Sequence, residues 1–213
     1  MNLPKGDRKI RCVIYDCDGV LLDSFESNRR FYNYFRTTLG RPPLTGEELK
    51  YAHSHTTYEA ILYIFGGDQN LTKQALELLP KIDPEDSLRY LKLEPNVLTT
   101  LRALKRKGIL RAISTSRSTS MKPIMERFEL GPHFDLVITA GDVQNPKPHP
   151  ESIEKIIQTF SLKKEETVFV GDSEIDRQAA GSAGVKFIAY KNKEIAADAF
   201  IEDHLAVLNL LPG

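Results

Sequence analysis

CVIYDCDGVLLDS, residues 12–24, joins an apolar, β-rich run to a cluster of acidic side chains. The run predicts a buried strand, and Asp16 and Asp18 stand at its end, two residues apart. Two carboxylates placed this close repel each other, so a positive partner is needed to hold them together. Gly19 follows them and leaves the chain free to turn sharply after the strand. The stretch therefore predicts a strand that delivers a charged site at its carboxyl end.

Short β-rich runs recur along the chain, and each is followed by a pattern typical of an amphipathic helix. The runs are RCVIYD (11–16), ILRAIST (109–115), DLVIT (135–139), TVFVG (167–171) and VKFIAY (185–190). Their nearly continuous apolar character indicates strands that are covered on both faces, as in a parallel sheet. The helical segments repeat apolar residues at i, i+3, i+4 and i+7. Alternating strands and helices predict an α/β fold with a doubly wound parallel sheet.

One long stretch interrupts this alternation. Residues 24–93 contain no convincing strand, and several helical patterns follow one another, including one that starts at a capping box of Thr56 and Glu59. We interpret these residues as an inserted, all-helical cap domain whose apolar stripes form a small core of its own. Residues 1–23 and 94–213 are then the α/β core.

The composition argues against several classes of function. The chain has 213 residues, 41% of them hydrophobic, and its 29 basic and 29 acidic residues cancel. This balance gives no support for a protein that binds nucleic acid or a membrane surface. No apolar run is long enough for a signal peptide or a membrane span, and Cys12 and Cys17 are interpreted as small core side chains rather than a disulfide. We therefore expect a cytoplasmic protein.

The ends of the predicted strands carry polar residues that could form one site. In parallel α/β sheets, ligands bind at the carboxyl ends of the strands. The residues delivered there are Asp16 and Asp18, then Ser114, Thr115 and Ser116, then Lys147, and finally Asp172 and Asp176. So many carboxylates need a compensating charge, and a divalent ion that prefers hard oxygen ligands, Mg²⁺ above all, fits this set. A phosphate group would give the hydroxyls, the lysine and the Gly19 backbone a natural partner.

These segments resemble the four motifs of the haloacid dehalogenase superfamily of phosphohydrolases. DCDGVLLDS is similar to motif I, STS to motif II, Lys147 in NPKPHP to motif III and GDSEID to motif IV, with matching order and spacing. Residues 108–190 are especially similar to the phosphoglycolate phosphatase and β-phosphoglucomutase-like branch. In the insert the likeness is only architectural, because that family carries a helical cap at the same place.

The resemblance implies roles for the carboxylates. Asp16 would be the nucleophile that forms an aspartyl-phosphate, and Asp18 the general acid and base. Asp18 would have to hold a proton when the substrate arrives, and we expect the negative charges of Asp16 and the phosphate to raise its pKa. Mg²⁺ would be held by the Asp16 side chain, the Asp18 backbone carbonyl and Asp172. Asp176 would act through a water molecule or by orienting its neighbours.

The resemblance also implies a phosphate site. Thr115 would hydrogen-bond the phosphoryl oxygens, with the Ser116 amide and the Gly19 backbone nearby. Lys147 would neutralise the phosphate and the Asp16 carboxylate. The three consecutive hydroxyls of motif II leave a shift of one residue open.

Other polar residues of the insert have ordinary structural explanations. His53 and His55 stand at i and i+2, which do not share a helical face, so a metal site is disfavoured. They and Ser54 could line the substrate-facing side of the cap, but we assign no role to any one of them. The arginines near the first cap helix are interpreted mainly as a solvated face, from which one could reach the substrate: Arg29, Arg30, Arg36 and Arg41.

The sequence thus predicts a Mg²⁺-dependent phosphoric monoester hydrolase that acts on a small phosphorylated metabolite, as a monomer or homodimer. Phosphoglycolate, a sugar phosphate, a nucleotide and pyrophosphate are all candidates, because the core motifs say little about the leaving group. A phosphomutase of the β-phosphoglucomutase type would share every core residue and is one alternative. A catalytically silent binding protein on the same fold is another, although such a protein would be expected to lose the nucleophile or a metal ligand.

Overall fold

The computed structural model describes residues 9–211, so residues 1–8 and 212–213, which the sequence assigns to the core, lie outside the described residues. The strands are β1 (Cys12–Tyr15), β2 (Leu22–Asp23), β3 (Lys92–Leu93), β4 (Leu110–Ser114), β5 (Leu136–Ile138), β6 (Thr167–Gly171), β7 (Lys186–Tyr190) and β8 (Ala199–Ile201). The α-helices are α1 (Phe25–Thr38), α2 (Gly46–Ser54), α3 (Thr57–Ile64), α4 (Gln69–Leu78), α5 (Pro84–Leu88), α6 (Val97–Arg106), α7 (Met121–Arg127), α8 (Glu151–Thr159), α9 (Glu174–Ala183) and α10 (Leu205–Leu210). Short 3-10 turns span Leu79–Lys81, Gly131–His133, Ala140–Asp142 and Lys164–Glu166. Within the described part of the chain, no helix has the length and apolar character that crossing a bilayer requires.

Six strands form one parallel sheet in the order β5-β4-β1-β6-β7-β8. The first strand lies in the centre, and its Tyr15 is opposite Ile113 of β4 and Val170 of β6. Because the chain visits β4 and β5 on one side before it crosses to β6, β7 and β8 on the other, the strand order reverses at β1. Such a reversal opens a crevice at the carboxyl ends of the strands. The predicted α/β fold with a doubly wound parallel sheet is confirmed.

Side chains of β1 alternate between two buried faces of the sheet. Val13 and Tyr15 join the core beneath α6, α7 and α10, whereas Cys12 and Ile14 join the core beneath α8 and α9. All four are fully buried because helices cover both faces, which is why the run shows no alternation with polar residues. Cys12 and Cys17 are buried and unpaired with each other, as predicted.

The sequence pattern misses two features of the fold. Strand β8 extends the sheet beyond β7. Strands β2 and β3 pair in antiparallel fashion, with Asp23 opposite Lys92, at the base of the insert. The expectation that residues 24–93 hold no strand is therefore wrong for the segment Lys92–Leu93. Strands of two or three residues are too short for hydrophobic periodicity to reveal them.

Helices α1–α5 follow one another between β2 and β3. Helices α1–α4 contribute apolar side chains to a separate cluster that includes Phe35 and Ile61. Helix α3 begins at the predicted capping box, in which the side chains of Thr56 and Glu59 each bind the other residue's backbone amide. We propose residues 24–93 as the limits of this unit, which is called the cap below.

Candidate active site

The carboxyl ends of neighbouring strands bring the predicted site residues to one edge of the sheet. Asp16 follows β1, Thr115 follows β4 and Asp172 follows β6. The Asp16 amide donates to the Val170 carbonyl at 2.9 Å, so the pairing of β1 with β6 fixes the position at which the acidic segment begins. Lys147 reaches the same edge from the loop before α8.

Lys147 is the positive partner that the crowded carboxylates require. Its Nζ donates to Asp16 Oδ1 and to Asp176 Oδ1, each at 2.6 Å. The Lys147 side chain is only 3% exposed, and the two carboxylates are buried as well. Water therefore screens these ion pairs weakly, and their mutual attraction is stronger than at the surface. Since the loss of one charge would leave another buried without a partner, the three groups form one unit.

Asp176 is held in place by the start of α9. Ser173 is the N-cap residue of this helix, and its hydroxyl donates to Asp176 Oδ2 at 2.6 Å while accepting from the Asp176 amide at 3.2 Å. A glycine at position 171 is required here, because a Cβ on Gly171 would lie 2.5 Å from the Asp176 Cβ. One carboxylate oxygen of Asp176 thus binds the helix start and the other binds Lys147, an arrangement that suits an orienting residue.

Asp16, Asp172 and Asp176 form a cluster of carboxylates. One oxygen from each lies within 4.8 Å of the others. Burial raises the pKa of Asp16 to about 7; the Lys147 charge opposes this rise, and the charges of Asp176 and Asp18 add to it. Burial, followed by the charges of Asp176 and Asp16, raises the pKa of Asp172 well above its usual range. Three carboxylates share one ammonium group, so this donor set fits a divalent cation with a preference for hard oxygen ligands.

Gly19 lets the loop after β1 pass close to Asp172. Its φ of +72° lies in the left-handed region, and a Cβ at this position would lie 2.1 Å from Asp172 Oδ2. The Gly19 amide donates to the Leu22 carbonyl at 2.8 Å, which closes a tight turn after Asp18. The positive φ and the short distance to Asp172 both exclude a larger side chain at position 19. The predicted sharp turn is confirmed.

The three consecutive hydroxyls after β4 have different neighbours. Ser114 Oγ lies 2.7 Å from Ser152 Oγ in the interior, so this hydroxyl binds α8. Ser116 Oγ donates to a backbone carbonyl of the cap at 3.3 Å. Thr115 is buried, and its Oγ1 accepts from the Arg117 amide at 3.1 Å. Because Ser114 is engaged with a helix, Thr115 is the better candidate for the predicted phosphate-binding hydroxyl.

Asp18 is paired with a residue that the sequence interpretation misses. Arg117 donates from Nε and Nη2 to the two carboxylate oxygens of Asp18, at 2.6 and 2.7 Å. Burial raises the pKa of Asp18, but the bidentate guanidinium outweighs burial and holds this pKa below its usual value. The pKa of Asp18 is therefore lowered rather than raised, because Arg117 outweighs burial and the neighbouring negative charge. A basic residue directly after STS is the sequence signal from which Arg117 could have been found.

A cavity of about 490 Å³ lies between the cap and the core. Asp18 and Arg117 line it from the core, and Asn28, Tyr32 and His53 line it from the cap. A cavity of this volume suits a small molecule. The structure thus brings His53, for which the sequence leaves open a place on the substrate-facing side of the cap, to the candidate active site.

The cap arginines do not line this cavity. Arg29, Arg30 and Arg41 are exposed, as a solvated face requires. Arg36 is instead buried, where it donates to the Glu48 carboxylate and to two backbone carbonyls of the cap. The interpretation of this residue as a solvated charge is wrong, because its guanidinium ties cap segments together.

Comparisons with known proteins agree with this geometry. The sequence model of a family described as haloacid dehalogenase-like hydrolase matches residues 13–190. Phosphoglycolate phosphatase of Escherichia coli K12 is 29% identical to this chain, over 82% of the chain and 79% of the relative. Pyrophosphatase PpaX of Bacillus cereus is 28% identical, over 85% of the chain and 83% of the relative.

A solved structure agrees as well. A hydrolase of the haloacid dehalogenase superfamily, subfamily IA, variant 1, from Geobacter sulfurreducens is 36% identical, with a TM-score of 0.77 over 95% of this chain and 97% of that chain. The residues that the family model matches include Asp16, Lys147 and Asp172. The chain belongs to the haloacid dehalogenase-like hydrolases, and its relatives among the phosphatases are consistent with a phosphoric monoester hydrolase.

Proposed function

We propose that this protein is a Mg²⁺-dependent phosphatase that hydrolyses a small phosphorylated metabolite through an aspartyl-phosphate on Asp16. The observation that carries the proposal is the ion-paired unit at the strand ends. Lys147 joins Asp16 to Asp176, and Asp172 lies in the same cluster, with oxygens within 4.8 Å. The proposed nucleophile, a fixed cation and the proposed metal ligands thus lie together, and phosphoryl transfer depends mostly on such positioning and charge stabilisation.

Asp16 is the proposed nucleophile. Lys147 binds its Oδ1 at 2.6 Å and so fixes the orientation of the carboxylate. Attack on phosphorus forms a bond between Asp16 and the phosphoryl group and releases the leaving group. A water molecule then breaks that bond and frees phosphate, so two easier steps replace a difficult one. Lys147 offsets the negative charge of the phosphoryl oxygens in both steps.

The residues of the cluster would hold Mg²⁺. We assign the Asp16 side chain, the Asp18 backbone carbonyl and Asp172 as its ligands, with Asp176 in an orienting role. The raised pKa of Asp172 is caused first by burial and then by the charges of Asp176 and Asp16; it supports this because both causes disfavour the carboxylate until a cation binds. Bound there, Mg²⁺ would supply the positive charge that allows a phosphate to approach carboxylates.

Backbone and hydroxyl groups would bind the phosphoryl oxygens. Thr115 is the proposed side-chain donor, since Ser114 is occupied by Ser152. The Ser116 amide lies in the loop that follows β4 and completes this set. The Gly19 amide donates to the Leu22 carbonyl at 2.8 Å and would have to leave that hydrogen bond before it could contribute. The cap would close over these groups and exclude bulk water from the aspartyl-phosphate.

The pair of Asp18 and Arg117 favours a leaving group that carries a second anionic group. Asp18 has to leave this ion pair before it can serve the leaving oxygen as a general acid. An anionic group of a substrate in the 490 Å³ cavity would compete with Asp18 for the Arg117 guanidinium. Phosphoglycolate and pyrophosphate, the substrates in the names of two relatives, both carry such a group. Sugar phosphates and nucleoside monophosphates have uncharged leaving groups.

A panel of phosphorylated metabolites, assayed for released phosphate with and without Mg²⁺, tests the proposal. We expect Mg²⁺-dependent turnover that Asp16→Asn abolishes without loss of the fold, and a higher kcat/KM for phosphoglycolate or pyrophosphate than for sugar or nucleoside monophosphates. Absence of Mg²⁺-dependent release from every compound would refute the phosphatase assignment and favour a silent binding protein. Conversion of a hexose 1-phosphate to its isomer without free phosphate would identify a phosphomutase instead.

A further inference from the structure

His53 reaches from the cap to the loop that follows β1. It lies near the end of α2, and the next residue of the cap, Ser54, accepts a hydrogen bond from Ser116 Oγ at 3.3 Å through its backbone carbonyl. This contact docks the end of α2 on the core. The His53 Nε2 lies 3.2 Å from the position that a Cβ on Gly19 would occupy. The Nε2 atom of His53 therefore lies next to the turn at Gly19, which directly follows Asp16 and Asp18.

Asn28 of α1 determines which ring nitrogen of His53 carries the proton. Its amide nitrogen, Nδ2, lies 2.9 Å from His53 Nδ1. An amide nitrogen can only donate, so Nδ1 accepts this hydrogen bond and carries no proton. A ring that accepts at Nδ1 is neutral, and burial, which lowers the pKa of His53 against the opposing charge of Asp18, agrees with this. The proton of a neutral ring then resides on Nε2, the nitrogen that faces the core.

The space in front of His53 Nε2 is the candidate active site. His53 lines the 490 Å³ cavity that contains Asp18 and Arg117, and it also lines a neighbouring cleft of about 420 Å³ that contains Asp172. It thus lies at the boundary between the carboxylate cluster and the space proposed for the leaving group. In residues 9–211, the described hydrogen bond of the ring uses Nδ1, and Nε2 lies next to the Cβ position of Gly19, which is also 2.1 Å from Asp172 Oδ2.

We propose that His53 is a substrate-binding residue supplied by the cap, which donates a hydrogen bond from Nε2 to an oxygen of the phosphorylated substrate over Gly19. Asn28 is the positioning residue that keeps the donor proton on Nε2. The inference rests on the proposed function, because it takes the ligand to be a phosphate ester. Since the donor is on the cap and its target is on the core, the hydrogen bond forms only when the cap is docked. Substrate binding is thereby coupled to closure.

Variants at positions 53 and 28 test this role through kcat/KM. A donor to an ionised oxygen contributes about tenfold to a hundredfold, so His53→Ala is expected to lower kcat/KM by that factor. His53→Gln, whose amide nitrogen can occupy a place similar to that of Nε2, should restore most of the activity. The kcat/KM of Asn28→Ala should lie between those of wild type and His53→Ala, because this variant no longer fixes the proton on Nε2 but keeps the imidazole ring. His133→Gln is the control. His133 lies in the turn before β5, at the edge of the sheet opposite to the candidate active site, so this variant should have the kcat/KM of wild type.

The pattern among these variants separates a binding role from a structural one. Equal loss in His53→Ala and His53→Gln, with lower thermal stability in both, would overturn the proposal in favour of a packing role. Wild-type kcat/KM in His53→Ala would overturn it directly. Retention of activity in His53→Gln together with loss in His53→Ala supports it.

Nitrogen NMR of ring-labelled histidine provides a test that does not depend on turnover. We expect the His53 signals, identified by their loss in His53→Gln, to show a protonated Nε2 and an unprotonated Nδ1, and Asn28→Ala to shift them toward a mixture of tautomers. Addition of inorganic phosphate should move the His53 Nε2–H signal and leave the His133 signals in place. A proton on Nδ1, or no response to phosphate, would overturn the inference. Failure of the proposed function alone would appear differently, as a wild-type protein without Mg²⁺-dependent turnover whose His53 still responds to phosphate.

Discussion

Replacement of Asp172 by asparagine is predicted to stabilise the metal-free protein and to abolish its stabilisation by Mg²⁺. The described hydrogen bonds of Asp172 use its backbone, through which it binds Asp176 and Asn192. Its carboxylate adds negative charge to the cluster, and burial and neighbouring carboxylates raise its pKa well above the usual range. Asparagine has nearly the same shape, so Asp172→Asn removes this charge with little change in packing.

The spacing of the carboxylates gives the magnitude. Two like charges at the 4.8 Å upper limit of this cluster repel each other by about 3.5 kcal/mol at an effective dielectric constant of about 20. Asp172 faces two carboxylates and one ammonium, so about one such repulsion is uncompensated. Solvent and partial protonation reduce it, and we therefore expect metal-free Asp172→Asn to gain about 1–3 kcal/mol in its free energy of unfolding near pH 8. For a chain of this size the gain raises Tm by about 2–12 °C.

Thermal unfolding with a chelator and with Mg²⁺ measures both effects. Wild type should gain about 2.7 kcal/mol when Mg²⁺ is present at a hundred times its Kd, and Asp172→Asn should gain almost nothing. Glu77→Gln is the control, because Glu77 is an exposed acid of α4 and its loss changes the net charge equally. A metal-free Asp172→Asn that is less stable than wild type, or one that Mg²⁺ stabilises as strongly, would refute the reasoning.

Three further outcomes are expected. Lys147→Met should lower the free energy of unfolding of the metal-free protein by about 3–5 kcal/mol in urea titrations, because two buried carboxylates lose their partner; a loss below about 1 kcal/mol would contradict the ion-paired unit. Arg117→Met should reduce kcat/KM for phosphoglycolate or pyrophosphate by about tenfold to a hundredfold and spare p-nitrophenyl phosphate, whereas equal loss on all substrates would argue against an anion-binding role. The Tm increase caused by Mg²⁺ should be larger near pH 8 than near pH 5: the pKa of Asp16 is raised from 3.8 to about 7 in the folded protein, so its ionised form destabilises the metal-free fold as pH rises through this window. An equal increase at both pH values would contradict that sign.

The site residues at the strand ends could be predicted from sequence because the patterns that mark them are local. Asp16 follows a continuous apolar run, and Asp172 follows another, so both had to lie at the carboxyl edge of a parallel sheet. The role of Asp176 in the start of α9 is also local, since Ser173 precedes it by three residues in a capping box. Lys147 has no such pattern of its own; it was placed at the site as the basic residue that follows the third predicted strand, and the resemblance of NPKPHP to motif III gave it a role.

Arg117 was missed and no role was assigned to His53, because their importance depends on where side chains point after folding. Arg117 follows β4, and only the neighbouring positions of β1 and β4 bring its guanidinium to both oxygens of Asp18. His53 belongs to the cap, and its approach to Gly19 follows from the docking of α2 on the core. Contacts between segments far apart in the chain leave no periodicity in either segment, so the pKa of Asp18 could not be given the correct direction from sequence.

The most direct test of the central claim is the detection of phosphate on Asp16 during turnover. Wild-type protein is mixed with substrate and Mg²⁺, quenched in acid within the first turnover and digested, and the peptides are examined by mass spectrometry. The account predicts a phosphorylated peptide that contains residues 12–24 with the modification on Asp16, and its absence from Asp16→Asn. Turnover without a phosphorylated peptide, or with the phosphoryl group on another residue, would contradict it.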